Sequence, residues 1–417
     1  MKSVVSCASG LDDAIRPAIK IVFWDLYANT EDVSNWSGIS AMTIQGLRGA
    51  GAEVSSAGYV LPLVRKLTSS AFWHYYAKYR QLHYIPDRHM FLAKVFSWYG
   101  NYKVKTQLKK ADAVVTTSTS ATAFLATEKP IFVIHDATWA QVLELYPYFA
   151  VSKQVPRVVS DGFEMEKRTF TRSNVTLILA SAWAAERAIL DYHLDRERVH
   201  VLPLGANFEE DPPRHEVERA IQDRKGDHCN LLFVGREFDR KGGHIAVDAA
   251  AALRDLGIPT TLHVVGCSPV GLPAFVSIHG LLRKDRKAEV KQLTNLYSRC
   301  DFFILPTQAE AQGIVFNEAA AYGLPVAATN VGGVSSVVKN GDWGLLLPSD
   351  APGQHYASWI AELFRDRVRY LSTALSARED YEARLSRSVH SGRLLAIIDQ
   401  VVKGSGHGSK TVTALSK

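Results

Sequence analysis

Most of this 417-residue chain repeats one pattern: short apolar runs closed by turn residues alternate with helix-length amphipathic stretches. Parallel strands covered by helices on both faces read as near-continuous apolar runs, and helical crossovers join them. A first series comprises IVFW (Ile21–Trp24), AVVTT (Ala113–Thr117), IFVI (Ile131–Ile134), VTLILA (Val175–Ala180) and VHVLP (Val199–Pro203). A second comprises LLFVG (Leu231–Gly235), LHVVG (Leu262–Gly266), FFILP (Phe302–Pro306) and PVAAT (Pro325–Thr329). Between them lies GANFEEDPPRHE, polar and with paired prolines, as an interdomain linker should be. The expected class is α/β, with two doubly wound, Rossmann-like domains over 1–204 and 217–380, joined by the linker 205–216. A C-terminal helix is expected over 381–403, packing back on the first domain. The stretch GSGHGSKTVTALSK, 404–417, offers no apolar face and is expected to be a disordered tail.

Composition narrows the class. With 47% hydrophobic and 22% charged residues, the chain cannot be disordered over most of its length. A net charge of +6 favours an anionic partner such as phosphate, phospholipid or nucleic acid. Cys7, Cys229, Cys267 and Cys300 show no CxxC spacing, which argues against a zinc site or disulfide scaffold and fits a reducing cytosol. The N-terminal MKSVVSCASGLDDAIR is too weakly apolar for a signal peptide, and no uncharged apolar stretch reaches the roughly 18–20 residues a spanning helix needs. A cytoplasmic, at most peripheral, protein is expected.

Chemistry concentrates in DFFILPTQAEAQGIVFNEAAAYGLPVAA, Asp301–Ala328. A buried strand ends at Pro306 and a glycine-containing loop opens a helix near Gly313. The backbone amides of Gly313, Ile314, Val315 and Phe316 would then face an anion at a helix N-terminus, where the macrodipole is favourable. Glu310 and Glu318 flank that point, and each can accept hydrogen bonds from sugar hydroxyls on one side of a diphosphate. Taken alone, such a pair reads first as two solvated surface acids. In VGREFDRKGG, Val234–Gly243, Arg236 follows a strand and Lys241 precedes a new helix, so both cations are expected at the C-terminal sheet edge where open α/β sheets bind ligands. Arg236 can grip phosphate oxygens through two N–H groups while Lys241 acts as a compact charge.

The spacing from Glu310 to Glu318 resembles the ExxxxxxxE signature of family 4 retaining glycosyltransferases, which have the GT-B fold. The likeness continues through AYGLPVAATNVGGVSSVVKNGDWGLLLP and reaches the first half in HDATW and VHVLPLGAN. The resemblance implies an N-terminal acceptor domain and a C-terminal donor domain closing over a central cleft. It implies that a sugar moves, with retention, from a nucleoside diphosphate to an acceptor hydroxyl, in cell-surface polysaccharide or glycolipid assembly. By resemblance, Glu318 holds the donor ribose, Glu310 contacts the transferred sugar, and Arg236 and Lys241 hold the diphosphate. Gly38, after Ser37 in NWSGIS, resembles half of the family's glycine-rich loop; its plainer reading is a helix N-cap. His135 of HDATW matches an acceptor-side position and otherwise reads as a structural histidine; Ser181 reads as architecture. Pocket contacts are expected at Gly280–Leu282 and at Ala311–Gln312.

No Asp-x-Asp triplet or HExxH spacing occurs, so no metal and no cofactor is expected beyond the nucleoside diphosphate sugar co-substrate. A nucleotide-sugar epimerase of the same fold, or a non-catalytic nucleotide-sugar binding protein, are the alternatives; fold alone does not separate them. Finally, Arg65–Lys110 carries ten Lys and Arg residues against one acid, Asp87, with tyrosines, phenylalanines and tryptophans interleaved. That mixture suits an anionic membrane surface presenting a glycan or lipid-linked glycan acceptor, and its alternative is a solvated face over an aromatic core. Nucleic acid is not expected, since no motif for it is present.

Overall fold

The computed structural model describes residues 18–26, 29–32, 38–58, 62–224 and 226–408. Two six-stranded sheets form in succession, parallel throughout. The first uses β1 (Lys20–Asp25), β2 (Glu53–Gly58), β3 (Ala113–Thr116), β4 (Ile131–His135), β5 (Val175–Leu179) and β6 (Val199–Val201), in the order β2-β1-β3-β4-β5-β6. The second uses β7 (Cys229–Val234), β8 (Thr260–Val265), β9 (Val276–Gly280), β10 (Phe302–Leu305), β11 (Val326–Thr329) and β12 (Gly344–Leu347), in the order β12-β11-β10-β7-β8-β9.

Alternate residues of each central strand feed the two faces of the first sheet. Ile131 and Val133 join one buried cluster with Phe170 and Phe96, while Phe132 and Ile134 join another with Ile44 and Leu47. The second sheet carries its own core, centred on Leu231, Phe233, Phe303 and Leu305. Three strands are missing from the apolar-run reading: β2, β9 and β12. All three lie at sheet edges; β2 (EVSSAG) and β9 (VSIHG) are polar there, whereas β12 (GLLL) is an apolar run of the same kind as the central strands.

The chain crosses between the sheets at Leu204. Its N–H donates to Gln312 Oε1 at 2.8 Å and its carbonyl accepts from Gln312 Nε2 at 3.2 Å. Asn317 Nδ2 donates to the same carbonyl. Gln312, expected at the donor pocket, is instead buried as a clamp on this crossover, because a buried main-chain amide needs both partners supplied.

The C-terminal region departs from expectation in two places. Residues Tyr381–Leu385 form a π-helical turn whose Tyr381 and Leu385 belong to the second core, and the last helix starts only at Arg387. The break is Ser386, extended at ψ 153°, whose hydroxyl accepts the Val389 N–H at 3.3 Å as an N-cap. Helix Arg387–Gly408 then lies on helix Ile39–Gly49, placing Leu394 and Ile398 in the first sheet's core. The approach is close: a Cβ on Gly46 would stand 2.0 Å from Ser391 Oγ. Residues 404–408, expected in a disordered tail, continue this helix because its hydrogen-bond ladder carries past the last apolar position, Val402; 409–417 lie outside the described residues.

Candidate functional site

In the second sheet the strand order reverses between β7 and β10, which are hydrogen-bonded neighbours. The loops leaving their C-terminal ends therefore splay apart and open a crevice, the usual ligand site of such sheets. The loop after β7 carries Arg236, Arg240 and Lys241; the loop after β10 carries Glu310 and Gly313. Lys241 and Glu310, both nearly buried, form an ion pair across this switch point. Sequence reasoning assigned them to different parts of a donor; the topology brings them into contact.

Gly313 is the N-cap of helix Ile314–Ala321 and takes left-handed angles, φ 84° and ψ 81°. A Cβ there would lie 2.7 Å from the Phe316 ring and 3.1 Å from Glu310 Cγ, so glycine lets the loop pass beneath the carboxylate. Ile314 and Val315 supply first-turn amides that have no intrahelical acceptor. The fourth expected amide is corrected: Phe316 N–H donates to Gly313 O at 3.0 Å and is not available. Ile314 also packs its side chain against the first sheet's core, so the helix start sits between the domains.

Glu318 lies one turn into that helix and is 1% exposed. Lys284, in the loop after β9, pairs with one carboxylate oxygen, and Tyr297 Oη donates to the other at 3.0 Å. Burial and the neighbouring carboxylate push the Tyr297 hydroxyl well above its usual range, so it remains a donor. Neither Lys284 nor Tyr297 was legible beforehand: the first sits in the charged run LRKDRK, the second on the apolar face of an amphipathic helix.

Arg236 shares the loop after β7 with Lys241. It is exposed, and among the described residues it joins none of the ion pairs. Its neighbour Arg240, passed over in the sequence, is engaged instead, donating to Ala309 O at 2.6 Å and to Glu237 at 2.7 Å.

On the opposite wall, His135 ends β4, but strand alternation turns its ring towards Phe170, edge-on at 6.5 Å. Burial, with Arg88 adding, pushes the imidazole down to about 3, so it is neutral near pH 7. The next residue, Asp136, lies within electrostatic reach of Glu310; burial pushes its carboxyl up to about 6, with Glu310 adding. Gly38 is the N-cap of helix Ile39–Gly49 at φ 80°, while Ser37 lies outside the described residues. Beside it, Ser40 Oγ donates to the buried Asp25 at 2.6 Å, tying the helix start to the end of β1.

Because the folded pKa of Asp136 lies above its ordinary 3.8, the folded protein holds a proton between about pH 4 and 6 that the unfolded chain has released. Stability therefore falls as pH rises through that window. Asp136→Asn is expected to raise Tm at pH 7.5 and to leave it nearly unchanged at pH 4. Thermal unfolding at both values checks this, and an equal shift at both would remove the assignment.

Among the described residues, no group of three or more His, Cys, Asp or Glu side chains is placed to hold a metal ion.

Residues 228–366 match the family model described as "Glycosyl transferases group 1". A D-inositol 3-phosphate glycosyltransferase of Paenarthrobacter aurescens is 28% identical over 206 residues, covering 47% of this chain and 48% of that protein. The chain thus aligns with about half the length of the relatives it matches. Among solved structures, the sucrose-phosphate synthase of Thermosynechococcus elongatus superposes with TM-score 0.66 at 16% identity, covering 93% of this chain and 100% of the other. Anabaena Alr3699/HepE, solved with UDP and glucose, superposes with TM-score 0.57 at 17% identity, covering 91% and 99%. At these identities the likeness is one of fold: two parallel sheets in the GT-B arrangement.

Proposed function

We propose that this chain, whose residues 228–366 match the group 1 glycosyltransferase model, transfers a sugar, with retention, from a nucleoside diphosphate to an acceptor hydroxyl. The observation that carries this reading is the Lys241–Glu310 pair at the strand-order switch, with Glu318 one turn into the adjoining helix. A diphosphate over the Ile314 and Val315 amides would lie beside Lys241, with Arg236 reaching in from the exposed loop. Glu318, oriented by Lys284 and Tyr297, retains lone pairs for two ribose hydroxyls.

As the C1–O bond to phosphate breaks, negative charge grows where Lys241 and the helix amides already point. The acceptor oxygen bonds to C1 on the same face, and its proton passes to the departing phosphate oxygen. These groups carry the charge that a metal would otherwise stabilise, so activity should persist in excess EDTA. UDP-glucose is the first donor to try, because the HepE protein was solved with UDP and glucose.

A thermal-shift screen of nucleoside diphosphate sugars tests the reading. Donor binding raises Tm by mass action, and Glu318→Ala should abolish the rise. Donor consumption that requires an acceptor supports transfer; conversion without acceptor points to the epimerase, and binding without turnover to the silent pocket. No Tm response to any nucleoside diphosphate sugar would remove the proposal.

The acceptor domain carries the second part of this proposal, a reversible hold on an anionic membrane. Helix Met90–Lys110 exposes Phe91, Val95, Trp98, Tyr102, Lys105 and Lys109, spaced three or four residues apart on one stripe. Trp98 and Tyr102 are 79% and 80% exposed, and Tyr75 and Tyr79 stand out nearby. The segment divides in two: Tyr84 and Phe96 are core, while the stripe is surface. Aromatic rings among cations suit a headgroup layer, and each cation near an anionic leaflet contributes about 1 kcal/mol. No helix among the described residues is long and apolar enough to cross a membrane. Co-sedimentation with anionic vesicles at low salt is expected, weakened at high salt and by Trp98→Ala with Tyr102→Ala. Equal binding of wild type and double variant would sink this part alone.

A further inference from the structure

The Glu310 loop is gripped from both sides of the cleft. Tyr146, the C-cap residue of helix Trp139–Leu145 in the first domain, reaches across to the second. Its Oη accepts the Ala311 N–H at 3.1 Å, and its ring lies 5.3 Å from the Arg240 guanidinium. Each contact falls one residue from the paired groups, since Ala311 follows Glu310 and Arg240 precedes Lys241. Arg240 also holds Ala309 O at 2.6 Å, and Glu310 O accepts the Gly333 N–H at 3.3 Å. The wall behind is equally close: a Cβ on Gly332 would stand 2.0 Å from Glu310 O and 3.6 Å from Leu145 of the first domain. Burial, with Glu310 and Asp136 adding, holds the Tyr146 phenol above its usual range, so the group remains O–H.

We propose that Tyr146 is a positioning residue that ties domain closure to the assembly of the Glu310–Lys241 pair. The inference rests on the transferase reading and extends it. With the domains apart, Ala311 N–H and Arg240 lose the tyrosine, and the loops after β7 and β10 are joined only by contacts within the second domain, such as Arg240 to Ala309 O. With the domains together, the hydroxyl fixes one loop and the ring fixes the other, so the pair is set when the acceptor wall is in place. Such coupling restrains donor hydrolysis in the open enzyme.

Tyr146→Phe keeps the ring and removes only the oxygen, so folding should be preserved. Amide hydrogen exchange at Ala311 should accelerate about tenfold, and kcat should fall roughly three- to tenfold, the scale of one hydrogen bond. Donor KM should stay within twofold, and the ratio of donor hydrolysis to transfer should rise. Tyr146→Leu, which also removes the ring, should move every readout further. Unchanged exchange at Ala311 in Tyr146→Phe overturns the inference, as does a kcat equal to wild type, or a loss confined to donor KM. The exchange measurement needs no turnover, so a wild-type protein that consumes no nucleoside diphosphate sugar overturns the transferase reading while Ala311 still decides whether Tyr146 holds the loop.

Discussion

Lys241→Ala is expected to lower turnover by about 10²–10³-fold, the effect of deleting one preorganised electrostatic donor from a transition-state site. Two losses combine in this variant. The ammonium no longer meets the charge that builds on the departing diphosphate, and Glu310, 7% exposed, is left as a carboxylate without its cation. Uncompensated buried charge is costly, so the Glu310 loop should shift and the fold should lose stability. Glu310→Gln, which removes the charge but keeps the shape, should then restore part of the stability lost in Lys241→Ala without restoring turnover. Steady-state kinetics and urea unfolding of the two single variants and the double variant form a cycle that separates the two effects. A kcat within threefold of wild type in Lys241→Ala would contradict the electrostatic role.

How much of this site was visible beforehand depended on whether a residue's role is local. Gly313, Glu310 and Glu318 share one strand, loop and helix, so their spacing in sequence already states their geometry. Lys241 was found because a cation just before a glycine pair and a helix is a local signal as well. The partners that hold these groups come from elsewhere: Lys284 from the loop after β9, Tyr297 from the helix before β10, Tyr146 from the other domain. No short-range pattern marks them, since a lysine in a charged run and a tyrosine on an apolar face look alike whether or not a carboxylate waits opposite. The fold shows the same division. Central strands, covered on both faces, were legible as apolar runs, whereas β2 (EVSSAG) and β9 (VSIHG), at sheet edges, are too polar to stand out. His135 was singled out by its place at a strand end, but the alternation of the strand turns it to the packed face and leaves its neighbour Asp136 near Glu310.

The largest effect on stability is expected at Gly242, where the switch point is narrowest. This residue caps helix Gly243–Asp255 with left-handed angles, φ 74° and ψ 31°. A Cβ built on it would stand 1.9 Å from the Pro306 carbonyl oxygen and 2.6 Å from the carbonyl carbon. Those atoms are main chain at the end of β10, fixed by pairing with β7 and β11, so no side chain can swing aside. Gly242→Ala therefore combines left-handed strain with an overlap that must push the two loops apart, about 2–5 kcal/mol in total. Gly257 provides the control. It has nearly the same φ, 78°, but nothing lies within 4 Å of its Cβ position, so Gly257→Ala should lose only the conformational part, about 1–2 kcal/mol. The difference between the two urea midpoints, at equal m-values, measures the close approach itself. Equal losses would mean that the loops after β7 and β10 are free to separate, and the contact between Lys241 and Glu310 would then no longer be imposed by the fold.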